Sequence, residues 1–319
     1  PFISSVIVLI FQLPTVFFRN QIIEKAKKKR LQPPLHPPAF GGHLEQFKNL
    51  LVIGITGSYG KTSTKEFLTE ILSEKFKVLE TKEHQNSEVG ISQCILNDLK
   101  PEHEIFICEM GAYNRGGIKL LSDIAKPKIG ILTGINEQHM ATFGSQENII
   151  KTKYELIQNL PRDGLAIFNG DNSYCFELYQ KTIRPKKVYS YQSSIYDYPV
   201  DIWTEEIKVE KDFLSFNAIT KDDQANFKVN LIGAQNIANL LAATLVAKEL
   251  GMKLNEISKA CQKIKPEQGG MKLIRGINGL NIIDSTYSAN PDGVISHLEY
   301  LKTWQGKKVI IMPCLIELG

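Results

Sequence analysis

The stretch Leu51-Val52-Ile53-Gly54-Ile55-Thr56-Gly57-Ser58-Tyr59-Gly60-Lys61-Thr62-Ser63 joins a short apolar run to a glycine-bracketed turn ending in Lys-Thr-Ser. Leu51 to Thr56 reads as a buried strand, and Lys61 to Glu74 as an amphipathic helix. Glycines in the turn let successive backbone N–H groups curl around an anion, the helix directs its positive N-terminus at it, and Lys61 adds a mobile cation. Thr56, Gly57, Ser58, Tyr59, Gly60, Lys61, Thr62 and Ser63 therefore read as a nucleotide phosphate cradle. The long Walker spacing would need glycine at position 55, where Ile55 stands, so the match is to the shorter G-x-x-G-K-[ST] form.

Outward from this turn, strand-like and helix-like segments alternate. Strands are expected at Val78 to Thr81, Ile105 to Glu109, Lys128 to Thr133 and Leu165 to Asn169, and helices at Val89 to Leu99, Gly117 to Ile124 and Gln146 to Asn159. Such alternation predicts an α/β domain with a parallel sheet, whose sites lie at the carboxyl ends of strands. Residues 187–229 lose the helical period and predict an antiparallel β-rich insertion or lobe. Helices return at Asn236 to Leu250 and Leu254 to Ile264. A strand-helix-strand unit, Gly279 to Asp284, Asp292 to Lys302 and Lys308 to Met312, then predicts the start of a second, Rossmann-like α/β domain.

With 319 residues and 43% hydrophobic content, the chain can bury two cores. Its net charge of +4 owes much to Lys25, Lys27, Lys28, Lys29 and Arg30, so the remainder gives no case for a nucleic-acid surface. The five cysteines, Cys94, Cys108, Cys175, Cys261 and Cys314, are widely spaced and read as reduced thiols. Phe2 to Phe18 form an apolar span of about 17 residues, at the short limit for a bilayer, with the basic run on its cytoplasmic flank. The reading is a hydrophobic anchor helix over 1–30, with an interfacial or a buried helix as alternatives. A proline-rich linker follows over 31–48, then a central ATP-binding domain over 49–272 and the start of a C-terminal domain over 273–319. Pro1 and Gly319 both read as cut ends.

Three polar residues follow buried strands: Asn86, Glu109 and His139. With Thr62, whose hydroxyl reaches Mg²⁺ in a phosphate loop, they form a set of hard-cation ligands around phosphates. Singly, a glutamate at a strand end or a lone histidine is as often a solvated or structural residue.

These residues resemble the Mur ligase superfamily, most specifically its MurF family of UDP-N-acetylmuramoyl-tripeptide:D-alanyl-D-alanine ligases. The resemblance is carried by Thr56 to Thr62, Asn86-Ser87-Glu88-Val89-Gly90, Glu109-Met110-Gly111-Ala112, Asn136-Glu137-Gln138-His139 and Phe143-Gly144-Ser145. It continues through Lys151-Thr152-Lys153-Tyr154-Glu155, Gly233 to Asn239, Asp284 to Pro291 and Glu317-Leu318-Gly319. The resemblance implies a peptidoglycan-precursor ligase in which ATP phosphorylates a carboxylate and an amine displaces the phosphate. It further implies two Mg²⁺ sites, with Thr62 and Glu109 on one metal and His139 at the other, and a carbamylated Lys153 bridging them. Lys61, Glu109, His139 and Lys153 are then catalytic, and Asn236, Asp284 and Tyr287 contact adenine and ribose. Substrates would be a UDP-MurNAc-peptide and D-Ala-D-Ala, the location the cytoplasmic side of the cell membrane, and the chain a monomer.

From local sequence alone, Lys153 reads first as a solvated helical lysine paired with Glu147 or Glu155, a reading the resemblance reverses, and Lys151 is the fallback; two apart on a helix, both cannot serve. Asn236 could be a helix N-cap. The chain departs from the family at Gly134 and Ser288, where asparagine is usual, at Gln235 for histidine, at Gly269-Gly270 for Gly-Arg, and at Pro313-Cys314-Leu315 for Gly-Asp-Met. The stretch before the loop reads as anchor and linker where the family has a nucleotide-sugar domain. Rival readings are another ligase of the superfamily, a phosphohydrolase or kinase, and an inactive scaffold.

Overall fold

The apolar run ahead of the glycine turn is an interior strand of a nine-stranded sheet. A computed structural model describes residues 2–30, 50–138, 140–191, 200–286 and 291–312. The first elements are α1 (Phe2–Arg30), β1 (Leu51–Thr56), α2 (Lys61–Leu72), β2 (Val78–Glu80), α3 (Glu88–Asn97), β3 (Ile105–Glu109), α4 (Gly117–Ala125) and β4 (Ile129–Leu132). Next come α5 (Met140–Phe143), α6 (Gln146–Gln158), β5 (Leu165–Asn169), α7 (Ser173–Lys181), β6 (Lys186–Ser190), β7 (Ile202–Val209), β8 (Leu214–Ile219) and β9 (Gln224–Val229). The last are α8 (Gln235–Glu249), α9 (Leu254–Cys261), β10 (Lys272–Arg275), β11 (Asn281–Asp284) and α10 (Pro291–Leu301). The proline-rich linker, His139 and Tyr287 lie outside the described residues.

Strand order is β2-β3-β1-β4-β5-β6-β7-β8-β9, parallel from β2 through β7. Side chains alternate between two cores, as period-2 geometry requires. Leu51, Ile53 and Ile55 pack with Phe67 and Leu68 of α2 and Leu240 and Leu241 of α8. Val52 faces the other way, with Ile91 and Ile95 of α3, Leu121 of α4 and Leu156 of α6. Because the chain leaves β1 toward β2 and β3 on one side and continues to β4 on the other, the crevice at the carboxyl end of β1 is a topological switch point. The glycine turn occupies it.

Three expectations are corrected. The β-rich segment is not a separate lobe: β6 pairs parallel to β5 and β7 parallel to β6, and only β7-β8-β9 are antiparallel, so one sheet runs through. Lys308 to Met312 form no strand and are largely exposed, since no described neighbour offers a ladder to pair with. In its place β10 and β11 make an antiparallel pair against which α10 follows.

The third correction concerns the N-terminus. Among the described residues no helix is long and apolar enough to cross a membrane; Ser4, Ser5, Gln12 and Thr15 interrupt the apolar run. Nor is its basic half a solvated flank. Ile23 and Ala26 are buried with Ile91, Cys94 and Ile95, Arg19 Nε donates to Glu88 Oε1 at 2.9 Å, and Lys29 Nζ donates to Leu96 O at 2.7 Å. Ile23 and Ala26 thus face inward with Lys29 reaching the same neighbour, while Lys25 and Lys28 stay exposed, which docks this half of the helix on α3.

Candidate active site

The turn between β1 and α2 is held by its neighbours before any ligand arrives. Gly57 has φ 158°, and a Cβ there would lie 2.1 Å from Thr133 Oγ1. Gly60 has φ 75° as it caps α2, and its Cβ would lie 2.5 Å from Asn239 Oδ1. Backbone conformation and lack of room both demand glycine at these positions. Ser58 N donates to Gly134 O at 2.7 Å, and the Thr133 hydroxyl donates to Tyr59 O. The loop is thereby tied to the end of β4, and the first N–H groups of α2, which a helix leaves without intrahelical partners, lie next to it.

Glu109 closes the cluster at the end of β3. Its Oε2 accepts from Thr62 Oγ1 at 2.9 Å and its Oε1 from Asn86 Nδ2 at 3.1 Å, while its own N–H donates to Thr81 Oγ1 at 3.0 Å. The carboxylate is only 7% exposed. Both donors to it are neutral, and among the described residues no cationic side chain is salt-bridged to it. A hydroxyl and a charged carboxylate in contact form an all-oxygen donor pair that suits a hard divalent cation. Asn86 is fixed in turn: its carbonyl accepts from Gly111 N at 2.9 Å, and Ser87 beside it caps α3.

Lys61 Nζ rests on Ser58 O at 3.3 Å. Removal from water lowers its pKa, with Glu109 pulling the other way. Lys153, on the inner face of α6, is 3% exposed, and its ammonium lies 5.8 Å from the Phe143 ring. Burial first, then the charge of Lys61, lower its pKa to about 7 against a partial opposing pull from Glu109. Three groups far apart in sequence therefore act on one another electrostatically. The surface-lysine reading of Lys153 fails: Glu147 pairs with exposed Lys151, and Glu155 accepts from Gly116 N and Lys119 N at 2.7 and 2.9 Å, capping α4. Lys151 points to solvent and drops out as the alternative.

Asn236 is not an N-cap. It lies inside the first turn of α8, fully buried, with Nδ2 donating to Ile232 O at 3.0 Å. Asp284 ends β11, half-buried, its Oδ1 accepting from Thr286 N and Oγ1, which hold its pKa below the usual carboxylate value. Asp284 lies in no described contact with the glycine turn, and the structure places neither it nor Asn236 in the Glu109 cluster.

Sequence reading missed the supporting residues. Asn239, one helical turn beyond Asn236, accepts from Thr64 Oγ1 at 3.3 Å and shields Gly60. Lys65 is buried and donates to Thr81 O at 2.7 Å, steadying the strand end that holds Glu109. Asn172 donates to the Tyr59 hydroxyl at 3.2 Å and caps α7. Among these, Asn172 carried a signal, an Asn before a helical run, and Asn239 lay within the quoted run Gly233 to Asn239 without a role of its own. The glycine at 134 also has its reason: a Cβ there would lie 2.3 Å from Tyr59 Cζ, so a side chain at this position would displace the loop's phenol from where it now packs.

Residues 55–247 match the Mur ligase middle domain family. The chain is 29% identical over 273 residues to UDP-N-acetylmuramoyl-tripeptide--D-alanyl-D-alanine ligase of Bacillus subtilis, covering 84% of this chain and 57% of that protein. Against the Escherichia coli enzyme of the same name it is 28% identical over 268 residues, covering 84% and 58%. The crystal structure of MurF ligase from Thermotoga maritima in complex with ADP superposes with TM-score 0.76 at 26% identity, covering 94% of this chain and 65% of that one. MurF from Acinetobacter baumannii gives TM-score 0.76 at 29% identity, covering 85% and 58%. The chain thus spans little more than half the length of the curated relatives it matches. A glycine turn at the sheet's switch point, the Thr62–Glu109 pair and a family match over well over half the sequence agree: the chain belongs to the Mur ligase family.

Proposed function

We propose that this chain is the nucleotide-binding part of an ATP-dependent, ADP-forming amide ligase of peptidoglycan precursor synthesis that joins D-Ala-D-Ala to a UDP-MurNAc-tripeptide. The observation that carries the reading is the contact of Thr62 and Glu109 beside Lys61 in a phosphate-binding loop, with Lys153 buried within their electrostatic reach. Lys61 and the loop N–H groups would hold the phosphates and neutralise charge as the γ-phosphoryl moves to the substrate carboxylate. Thr62 and Glu109, with His139, would hold Mg²⁺, which when bound would supply positive charge to offset that of the phosphates. Holding the amine against the activated carboxyl lets it outcompete water.

The depressed pKa of Lys153 supports its carbamylation. A neutral amine adds to CO₂, a proton leaves, and a cationic side chain becomes an anionic oxygen donor beside Glu109. Asn236, Asp284 and Tyr287 are proposed for the adenine and ribose, and residues 49–272 and 273–319 as the central domain and the start of the next. The chain is proposed to act as a monomer with no nucleic-acid partner.

ADP release by the complete protein tests the assignment: it should require a UDP-MurNAc-tripeptide and D-Ala-D-Ala together. Release with ATP alone would instead mark a phosphohydrolase, and release with another carboxylate and amine a different ligase of the family.

At the N-terminus, Val16, Phe17 and Phe18 are exposed ahead of Lys25, Lys27 and Lys28. This favours a helix lying on an anionic membrane surface at its cytoplasmic side rather than spanning it. The protein should co-sediment with phosphatidylglycerol vesicles and lose this on Phe17→Ser with Phe18→Ser; wild-type protein staying in the supernatant rejects the contact.

A further inference from the structure

Three side chains of α10, four residues apart, reach three separate elements. Asp292 Oδ2 accepts from Asn136 Nδ2 at 2.7 Å. Ser296 Oγ donates to Gln235 Oε1 at 2.6 Å, and Tyr300 OH donates to Lys211 O at 2.7 Å. Spacing of four brings these positions to one helix face, so together they form one docking edge. Tyr300 is 2% exposed and packs with Ile232 and Met271, which gives the edge its apolar component. The departure Gln235, where the family favours histidine, is the partner of its middle rung.

Asp292 differs from the other two rungs in what stands behind its partner. Asn136 N donates to Ser58 Oγ at 3.2 Å, and Ser58 N donates to Gly134 O. The Asp292 carboxylate is therefore two hydrogen bonds from the phosphate cradle. It also acts on the Tyr59 phenol, helping burial to raise that group's pKa. Among the described residues no lysine, arginine or histidine is salt-bridged to Asp292. A carboxylate two hydrogen bonds from the cradle repels phosphate oxygens arriving there, and because Asp292 is itself exposed the repulsion acts partly through solvent and is screened by salt.

We propose that Asp292 sets nucleotide affinity by charge: its carboxylate, held by Asn136 beside the cradle, opposes the entry of anionic phosphates. Phosphate occupancy then loosens the Asn136–Asp292 rung, while Ser296 and Tyr300 keep the helix docked. The inference rests on the nucleotide reading above and deepens it by naming a residue outside the loop that tunes the same site.

Asp292→Asn keeps the size and the acceptor for Asn136 but removes the charge. With EDTA present, so that no cation bridges the carboxylate, ADP titrated into the complete protein should bind Asp292→Asn about 3- to 10-fold more tightly than wild type at low salt. The gain should shrink as ionic strength rises, and Ser296→Ala should bind ADP as wild type does. Thermal melts confirm that each variant is folded. Equal or weaker binding by folded Asp292→Asn, or a gain indifferent to salt, overturns the role of Asp292 and leaves the nucleotide site standing. Folded wild-type protein that binds no ADP overturns the nucleotide reading, and this inference with it.

Discussion

Lys61→Ala is expected to cut ATP-driven amide formation by the complete protein by on the order of 100-fold or more, equivalent to roughly 3 kcal/mol of transition-state stabilisation. The side chain leaves from a partly buried position where its ammonium rests on Ser58 O. No other described cation sits on the loop to replace it, because Lys65, one turn on, is committed to Thr81 O. Stability should change little or rise, since burial already disfavours the charged form of Lys61. The measurement is kcat alongside a thermal melt. Turnover near the wild-type rate would show that the turn does not carry the chemistry.

Lys153→Ala should cost activity on a similar scale, for a separable reason. If Lys153 becomes an anionic donor through CO₂, added short carboxylates should restore part of the rate to the alanine variant, whereas a lysine that only packs would gain nothing from them. Its pKa near 7 fixes the pH dependence. Below that value the amine is protonated and cannot add to CO₂; above it the neutral amine predominates. With ¹³C-bicarbonate, a carbamate signal should therefore appear at about pH 8, fade toward about pH 6 and be missing from the variant at both. Linkage has the same sign. In the unmodified protein the folded state gives up this proton near 7 and the unfolded state near the ordinary lysine value of 10.5, so the unfolded state binds more protons in between. Stability rises with pH across that window, and the alanine variant should lack this contribution.

Much of this was legible in the sequence because the relevant patterns are local. Leu51–Thr56, Ile105–Glu109 and Leu165–Asn169 stand as expected to the residue, since buried parallel strands are short runs of apolar residues bounded by polar turns. The contact of Thr62 with Glu109 was implied by two strand ends meeting at one sheet edge. What sequence could not show was decided by packing. Whether residues 187–229 extend the sheet or leave it depends on which edge β6 finds, and no periodicity encodes a partner. The choice between Lys151 and Lys153 depends on which face of α6 meets the core. Asn239 and Lys65 look like ordinary helical polar residues until the fold brings them against Gly60 and Thr81.

The seating of α1 on α3 has a practical consequence for truncation. Cutting the chain after Arg30 to shed its greasy leading segment would strip Ile23 and Ala26 from Ile91, Cys94 and Ile95 and leave that groove open to solvent. It would also unfasten Glu88 beside the Asn86 loop. A cut just before Arg19 sheds the exposed phenylalanines and keeps the plug.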